Sequence, residues 1–213
     1  MVISLLFESP LLFFIFILSI IFALTVHEYG HALSSYLLGD PTAKEMGRLS
    51  LNPLAHIDPW GFLMLLLVGF GWGKPVPFNP YNLKEQRKSP AIIALCGPLA
   101  NLISIIFFGL ILKLIQKSLG AENLLVIFLS WAILINSTLM IFNLLPIPPL
   151  DGSKIFYAFV PKGREDIIYK LEQKGPMILI FLIVIDTFLP FSLLDQLFLW
   201  VTNFISHIFG III

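Results

Sequence analysis

Charge is what this sequence has least of. Charged residues make up 12% of the 213 positions, against roughly 25% in an ordinary soluble domain. Acidic and basic residues number 13 each, so the formal net charge is zero and no nucleic-acid partner is implied. Cys96 is the only cysteine, which excludes an intrachain disulfide and a multi-cysteine zinc site, leaving histidine and carboxylate for any metal. Stretches polar enough for a separate soluble domain are lacking too, because apolar runs use up the length. What fills the chain is 58% hydrophobic residues, among them 20 phenylalanines, and a mean hydropathy of +0.94. That composition predicts an all-α polytopic membrane protein embedded in a lipid bilayer, which also accommodates the 15 prolines and 14 glycines. No small-residue cleavage site follows the first apolar run, so no removable signal is expected.

The first span is expected from Pro10, suited to the first helical position, to Leu38, where Gly39-Asp40-Pro41 stops it. Such a helix is about 43 Å long, more than the roughly 30 Å hydrocarbon core, so it tilts or protrudes. Gly61 to Gly73 is apolar but has only 13 residues, too few for an ordinary span, and reads as re-entrant or interfacial. Pro90 to Leu112 and Asn123 to Leu145 are the next spans, joined by a polar connection over Lys113 to Glu122. Pro176 to Leu189 and Leu193 to Ile213 read as a closing hairpin, joined around Pro190-Phe191. Its first arm spans comfortably only if the helix begins in the amphipathic stretch Glu165 to Lys174. About five transmembrane helices and one short re-entrant or interfacial segment are thus expected in a single domain over 1–213. Its core is expected at about 5–155 and the hairpin at about 176–213. Of the 13 Lys and Arg, six lie in 39–90 and five in 153–175. The positive-inside rule puts both loops in the cytoplasm, provided 61–73 does not cross.

Within the first span lies His27-Glu28-Tyr29-Gly30-His31, an HExxH motif. Histidines four apart share a helix face, so both imidazoles can reach one zinc ion while Glu28 takes a proton from a water the ion polarises. Three ionisable groups in five residues of a membrane span are functional by default. Zinc catalysts hold the ion by three protein ligands and keep a fourth position open. The third ligand must come from further along the chain, and His56, Asp58 and Asp151 are the candidates. Asn143 is a candidate donor to the charge that develops on a tetrahedral intermediate. Two other functions share these ligands: a membrane zinc transporter or sensor, and a non-catalytic scaffold that binds transmembrane helices.

Five stretches carry a family resemblance: HEYGH (27–31), GRLSLNPLAHIDPWG (47–61), GWGKPVPFNP (71–80), GPLAN (97–101) and NLLPIPPLDG (143–152). In this order and spacing they resemble the site-2 proteases, the intramembrane zinc metalloproteases of peptidase family M50, in a compact form without PDZ or CBS domains. The resemblance implies one zinc ion on His27, His31 and Asp151, Glu28 as the catalytic glutamate, and Asn143 positioning substrate or the transition state. His56, Asn101 and Pro148 fall in motifs that support the ligands or the substrate. The resemblance also implies a multi-pass protein of the prokaryotic plasma membrane, with its site toward the cytoplasm. Its substrate would be a single-span or helical-hairpin membrane protein, trimmed beforehand by another protease in many relatives. Residues 71–80 resemble a region that offers backbone to an unwound substrate as an added strand.

Overall fold

A computed structural model describes residues 2–188 and 192–210. Helix α1 (Ser4–Glu8) leads into α2 (Pro10–Leu37), which starts on its proline and ends where Gly39 takes a positive φ of 104°. A loop containing the single turn α3 (Thr42–Glu45) is followed by the short helix α4 (Pro59–Val68). Then come α5 (Ser89–Leu119), α6 (Leu124–Asn143), α7 (Asp151–Tyr157), α8 (Glu165–Phe188) and α9 (Leu193–Phe209). The protein is all-α, and α2, α5 and α6 are long and apolar enough to cross a membrane. It is a multi-pass membrane protein with at least these three spans. Side chains such as Phe14, Leu18, Ile103 and Phe107 are exposed along them, as expected where lipid is the solvent.

Two helix ends differ from the sequence expectation. Helix α5 does not stop at Leu112 but runs on to Leu119. Lys113 and Lys117 are one turn apart and stay on the helix surface. Lys113 Nζ sits 5.9 Å from the centre of the Phe209 ring, and Gln116 Nε2 donates to Phe209 O at 3.3 Å. Polar side chains with partners on α9 thus extend a helix that hydropathy alone would end. Helix α8 begins at Glu165 and absorbs the amphipathic stretch, reaching 24 residues, or about 36 Å. The joint around Pro190-Phe191, the side chain of Asp195 and the last three residues lie outside the described residues.

Helices α2, α5 and α6 pack pairwise, and α9 leans on α5 and α6. Ile105, Phe108, Leu112, Leu129, Ile133, Val201 and Phe209 belong to the apolar cluster between them. In lipid such contacts gain little from leaving water, so close packing and interhelical hydrogen bonds must hold the bundle. Small residues permit that closeness. A Cβ on Gly30 would lie 2.5 Å from Cys96 O, so α2 and α5 touch backbone to backbone there. Buried Ser19, Thr25, Ser104 and Ser137 satisfy their hydroxyls on the carbonyl four residues back.

The stretch 57–73 leaves and returns at one point. Asp58 caps α4 by accepting from Gly61 N at 2.8 Å, Gly69 ends it with φ 87°, and Ile57 and Gly73 then form an antiparallel bridge. Lys74 N donates to His56 O at 2.8 Å. Asp40, fully buried, ties this return to the end of α2. Its carboxylate accepts from Ser35 Oγ (3.2 Å), Thr42 N (3.1 Å), Thr42 Oγ1 (2.6 Å), Asn79 N (2.7 Å) and Asn82 Nδ2 (2.9 Å). Burial alone would raise its pKa, but the donors from Thr42, Asn82 and Asn79 outweigh it and hold the carboxyl at about 2.

Candidate metal centre

The i, i+4 spacing on α2 sets His27 and His31 side by side, with ring centres 4.7 Å apart. Asp151 opens α7, and the bend over 146–150 delivers its carboxylate to the same point. His27 Nε2 and His31 Nε2 are 3.1 Å apart, and Asp151 Oδ2 lies 3.2 and 3.1 Å from them. All three residues are more than nine-tenths buried. Across the site, α5 presents Gly97, where a Cβ would fall 2.5 Å from His31 Nε2 and 2.9 Å from His27 Cε1. Only a residue without a side chain lets α5 approach the rings this closely.

The far side of each ring fixes which nitrogen carries the proton. His31 Nδ1 is 2.7 Å from Ile93 O, a carbonyl that can only accept. His27 Nδ1 is 2.6 Å from Asn101 Oδ1, and that amide's orientation is settled because Asn101 Nδ2 donates to Ala23 O (3.0 Å) and Asn136 Oδ1 (2.8 Å). Both Nδ1 atoms are therefore donors, and in the neutral rings both Nε2 atoms carry lone pairs. Those lone pairs face each other and the buried Asp151 Oδ2, which has no hydrogen-bond donor. Three acceptors crowded together with nothing between them are unstable unless a cation or a proton joins them. The spacing suits a cation. Ligands about 2.0–2.2 Å from a tetrahedral ion stand roughly 3.3–3.6 Å apart, a few tenths of an ångström wider than the distances here. His27, His31 and Asp151 could thus hold a metal ion, and two imidazoles with one carboxylate suit zinc.

Glu28, also buried, points toward the returning strand, and its Oε2 accepts from Val76 N at 3.2 Å. Arg48 is buried nearby and donates from Nη2 to Lys74 O. Burial lowers its pKa and the charge of Glu28 acts in the opposite direction. The other two candidates for the third ligand do not join the cluster. His56 is fully buried with Nε2 2.7 Å from Ser50 O, and Asp58 caps α4. Asn143, at the end of α6, donates from Nδ2 to Leu139 O at 3.0 Å. Pro148 packs under α8, where a Cβ on Gly175 would lie 2.7 Å from Pro148 Cγ. Sequence reasoning missed Arg48 and Asn136. A carboxamide in the middle of an apolar helix was the available signal for Asn136.

A family model described as Peptidase family M50 matches residues 15–185. The chain belongs to this family. YwhC of Bacillus subtilis (strain 168), named as a zinc metalloprotease, is 38% identical over 174 residues, 79% of each chain. Proteins called Rip2, also named as zinc metalloproteases, are 28% identical in Mycolicibacterium smegmatis and 29% in Mycobacterium tuberculosis (strain H37Rv). Each match covers 76% of this chain, but 63% and 62% of the Rip2 chains. No solved structure matches at the same stringency. Family membership, the multi-pass architecture and the His-His-Asp cluster together make this M50 chain a zinc-dependent metalloprotease of the intramembrane, site-2 type.

Proposed function

We propose that the protein cuts a peptide bond in or near the transmembrane segment of another membrane protein, using one zinc ion held by His27, His31 and Asp151. The observation that carries this reading is the convergence of three acceptor atoms at 3.1–3.2 Å beside a buried glutamate. When bound, zinc supplies Lewis-acid polarisation of a water and of the scissile carbonyl. Glu28 is the base: its carboxylate, steadied by Val76 N, takes the proton of the attacking water and returns it to the leaving amide nitrogen. Asn143 keeps an amide hydrogen beyond the one on Leu139 O and can turn it to the developing oxyanion. Asn101 orients His27, Pro148 braces the bend that carries Asp151 against α8, and His56 anchors the strand over Glu28 through its carbonyl.

The 61–73 segment is read as re-entrant or interfacial, a reading supported by the bridge between Ile57, just before it, and Gly73 at its end. Helices α8 and α9 complete the count of about five spans. They form a C-terminal hairpin (about 176–213) on a catalytic core (about 5–155), all one domain over 1–213. The basic loops then face the cytoplasm of a prokaryotic cell, with the site near that face of the plasma membrane. The substrate is a single-span or helical-hairpin membrane protein, as in regulated intramembrane proteolysis. A helical peptide ties each carbonyl to an amide four residues on, so the segment must unwind before attack, and the backbone over 71–80, non-helical as far as Asn79, can receive it as a strand.

The test compares membranes from cells carrying wild type or Glu28→Gln by quantitative proteomics. Single-span proteins should accumulate uncut in the variant, and purified wild type should cleave them in detergent. Equal fragment patterns in the two membranes would overturn the reading.

A further inference from the structure

Asn136 is fully buried in the middle of the mostly apolar helix α6. It touches no ligand of the candidate centre. Its amide nitrogen donates to Ala132 O, one turn back, at 2.7 Å. A backbone carbonyl can only accept, so this contact settles which end of the Asn136 amide is nitrogen. The oxygen is thereby turned to α5, where it accepts from Asn101 Nδ2 at 2.8 Å. Asn101, also fully buried, has its second amide hydrogen on Ala23 O. Both hydrogens of Asn101 are taken, so its oxygen is the group left to face His27 Nδ1, 2.6 Å away. The result is a directed relay across three helices, starting at the Ala132 carbonyl and ending on an imidazole.

We infer that Asn136 is a positioning residue for the metal centre: through Asn101 it holds the His27 proton on Nδ1 and the Nε2 lone pair on the ion. The inference rests on the reading of His27 as a metal ligand. An Asn101 amide turned by half a revolution would set its NH2 against the Nδ1–H of His27. Relief of that donor–donor clash requires the proton to move to Nε2, which removes the lone pair that faces the metal. Without Asn136 the NH2 end of Asn101 is held by one hydrogen bond, to Ala23 O, in place of two. His31 needs no such device, because Ile93 O is part of the α5 backbone and cannot flip. The two histidines are therefore held unequally, one by the main chain and one by side chains.

The experiment uses the full-length protein in detergent micelles, with zinc affinity measured by competition against a chromophoric chelator. The cobalt(II) absorption spectrum is recorded as a second readout. Asn136→Leu keeps the branched shape of the side chain and suits an apolar helix, but leaves an Asn101 hydrogen without an acceptor. Asn136→Ala serves as a second variant that does not depend on how leucine packs. Ser137→Ala is the control, since Ser137 is equally buried and bonds only to Ile133 O. Both Asn136 variants should weaken zinc binding roughly 10- to 100-fold and alter the cobalt spectrum, as loss of a partner behind a ligating histidine does. Ser137→Ala should do neither. Asn101→Leu should be at least as damaging, and the Asn101→Leu/Asn136→Leu pair no worse than Asn101→Leu alone, because the relay acts through one residue. Wild-type zinc affinity in both Asn136 variants, or full additivity in the pair, would overturn the inference. If wild type binds no zinc, or His27→Ala binds it as wild type does, the metal reading itself fails and takes the inference with it.

Discussion

Replacing Gly97 with alanine puts a methyl carbon 2.5 Å from His31 Nε2 and 2.9 Å from His27 Cε1. Carbon contacts settle at about 3.5–4.0 Å, so the overlap to be relieved is on the order of 1 Å. One way to relieve it is retreat of α5. That helix carries Asn101 and Ile93, the partners of both Nδ1 atoms, and a 1 Å shift would stretch bonds of 2.6 and 2.7 Å beyond hydrogen-bonding length. The other way is rotation of the rings, which moves the Nε2 atoms off positions that a metal tolerates to about 0.2 Å. Either response should weaken zinc binding by roughly 10- to 100-fold or more. Helix propensity runs the other way, since alanine favours a helix over glycine by about 1 kcal/mol and offsets part of an overpacking penalty of about 1–3 kcal/mol. The metal-free variant should therefore stay folded while its site is damaged. The assay is zinc competition on wild type and Gly97→Ala, alongside thermal unfolding of the metal-free proteins. Leu99→Ala, on an exposed part of α5, is the control. Zinc affinity within about threefold of wild type in Gly97→Ala would refute the close-approach argument.

Glu28→Gln should retain zinc, because glutamine can still accept from Val76 N, yet lose at least about 100-fold in cleavage for want of a base. Metal content and turnover of the same preparation check both halves. Asp40 makes the protein acid-sensitive: its pKa falls from 3.8 to about 2 on folding, worth about 2 kcal/mol. A lowered pKa stabilises above the unfolded value, so that share is intact above about pH 4 and lost as pH falls toward 2; Asp40→Asn should lack the loss in pH-dependent unfolding. Asp186 accepts from Ser192 Oγ (2.5 Å) and Leu193 N (2.7 Å) and so caps α9 from α8. Asp186→Ala should lower the unfolding temperature while leaving zinc affinity within about twofold, by the same chelator competition.

The five-residue histidine motif and the long apolar runs were legible without coordinates, because both are local. Helical spacing alone sets His27 and His31 on one face, and hydropathy alone marks α2, α5 and α6 as spans. The short 61–73 stretch was legible as a separate short apolar element, which is the ten-residue α4 and its return to Gly73. What locality cannot settle is which distant group reaches the histidines. His56, Asp58 and Asp151 were all candidates on residue type and the family resemblance pointed to Asp151; the packing of α7 against α5 brings that carboxylate to 3.1–3.2 Å of the imidazoles, while α4 takes Asp58 as its cap. The proton positions on the rings were likewise invisible, since Asn101 and Ile93 approach from α5 and the Asn136 relay reaches in from α6. The end of α5 was misjudged because its lysine-bearing turns are stabilised by partners on α9. The sequence by itself determined that two histidines and a glutamate share one apolar helix and that the bilayer is the solvent. The tertiary structure decided which carboxylate meets the two histidines and which groups face their Nδ1 atoms, because both depend on how closely helices approach where Gly30 and Gly97 have no side chain.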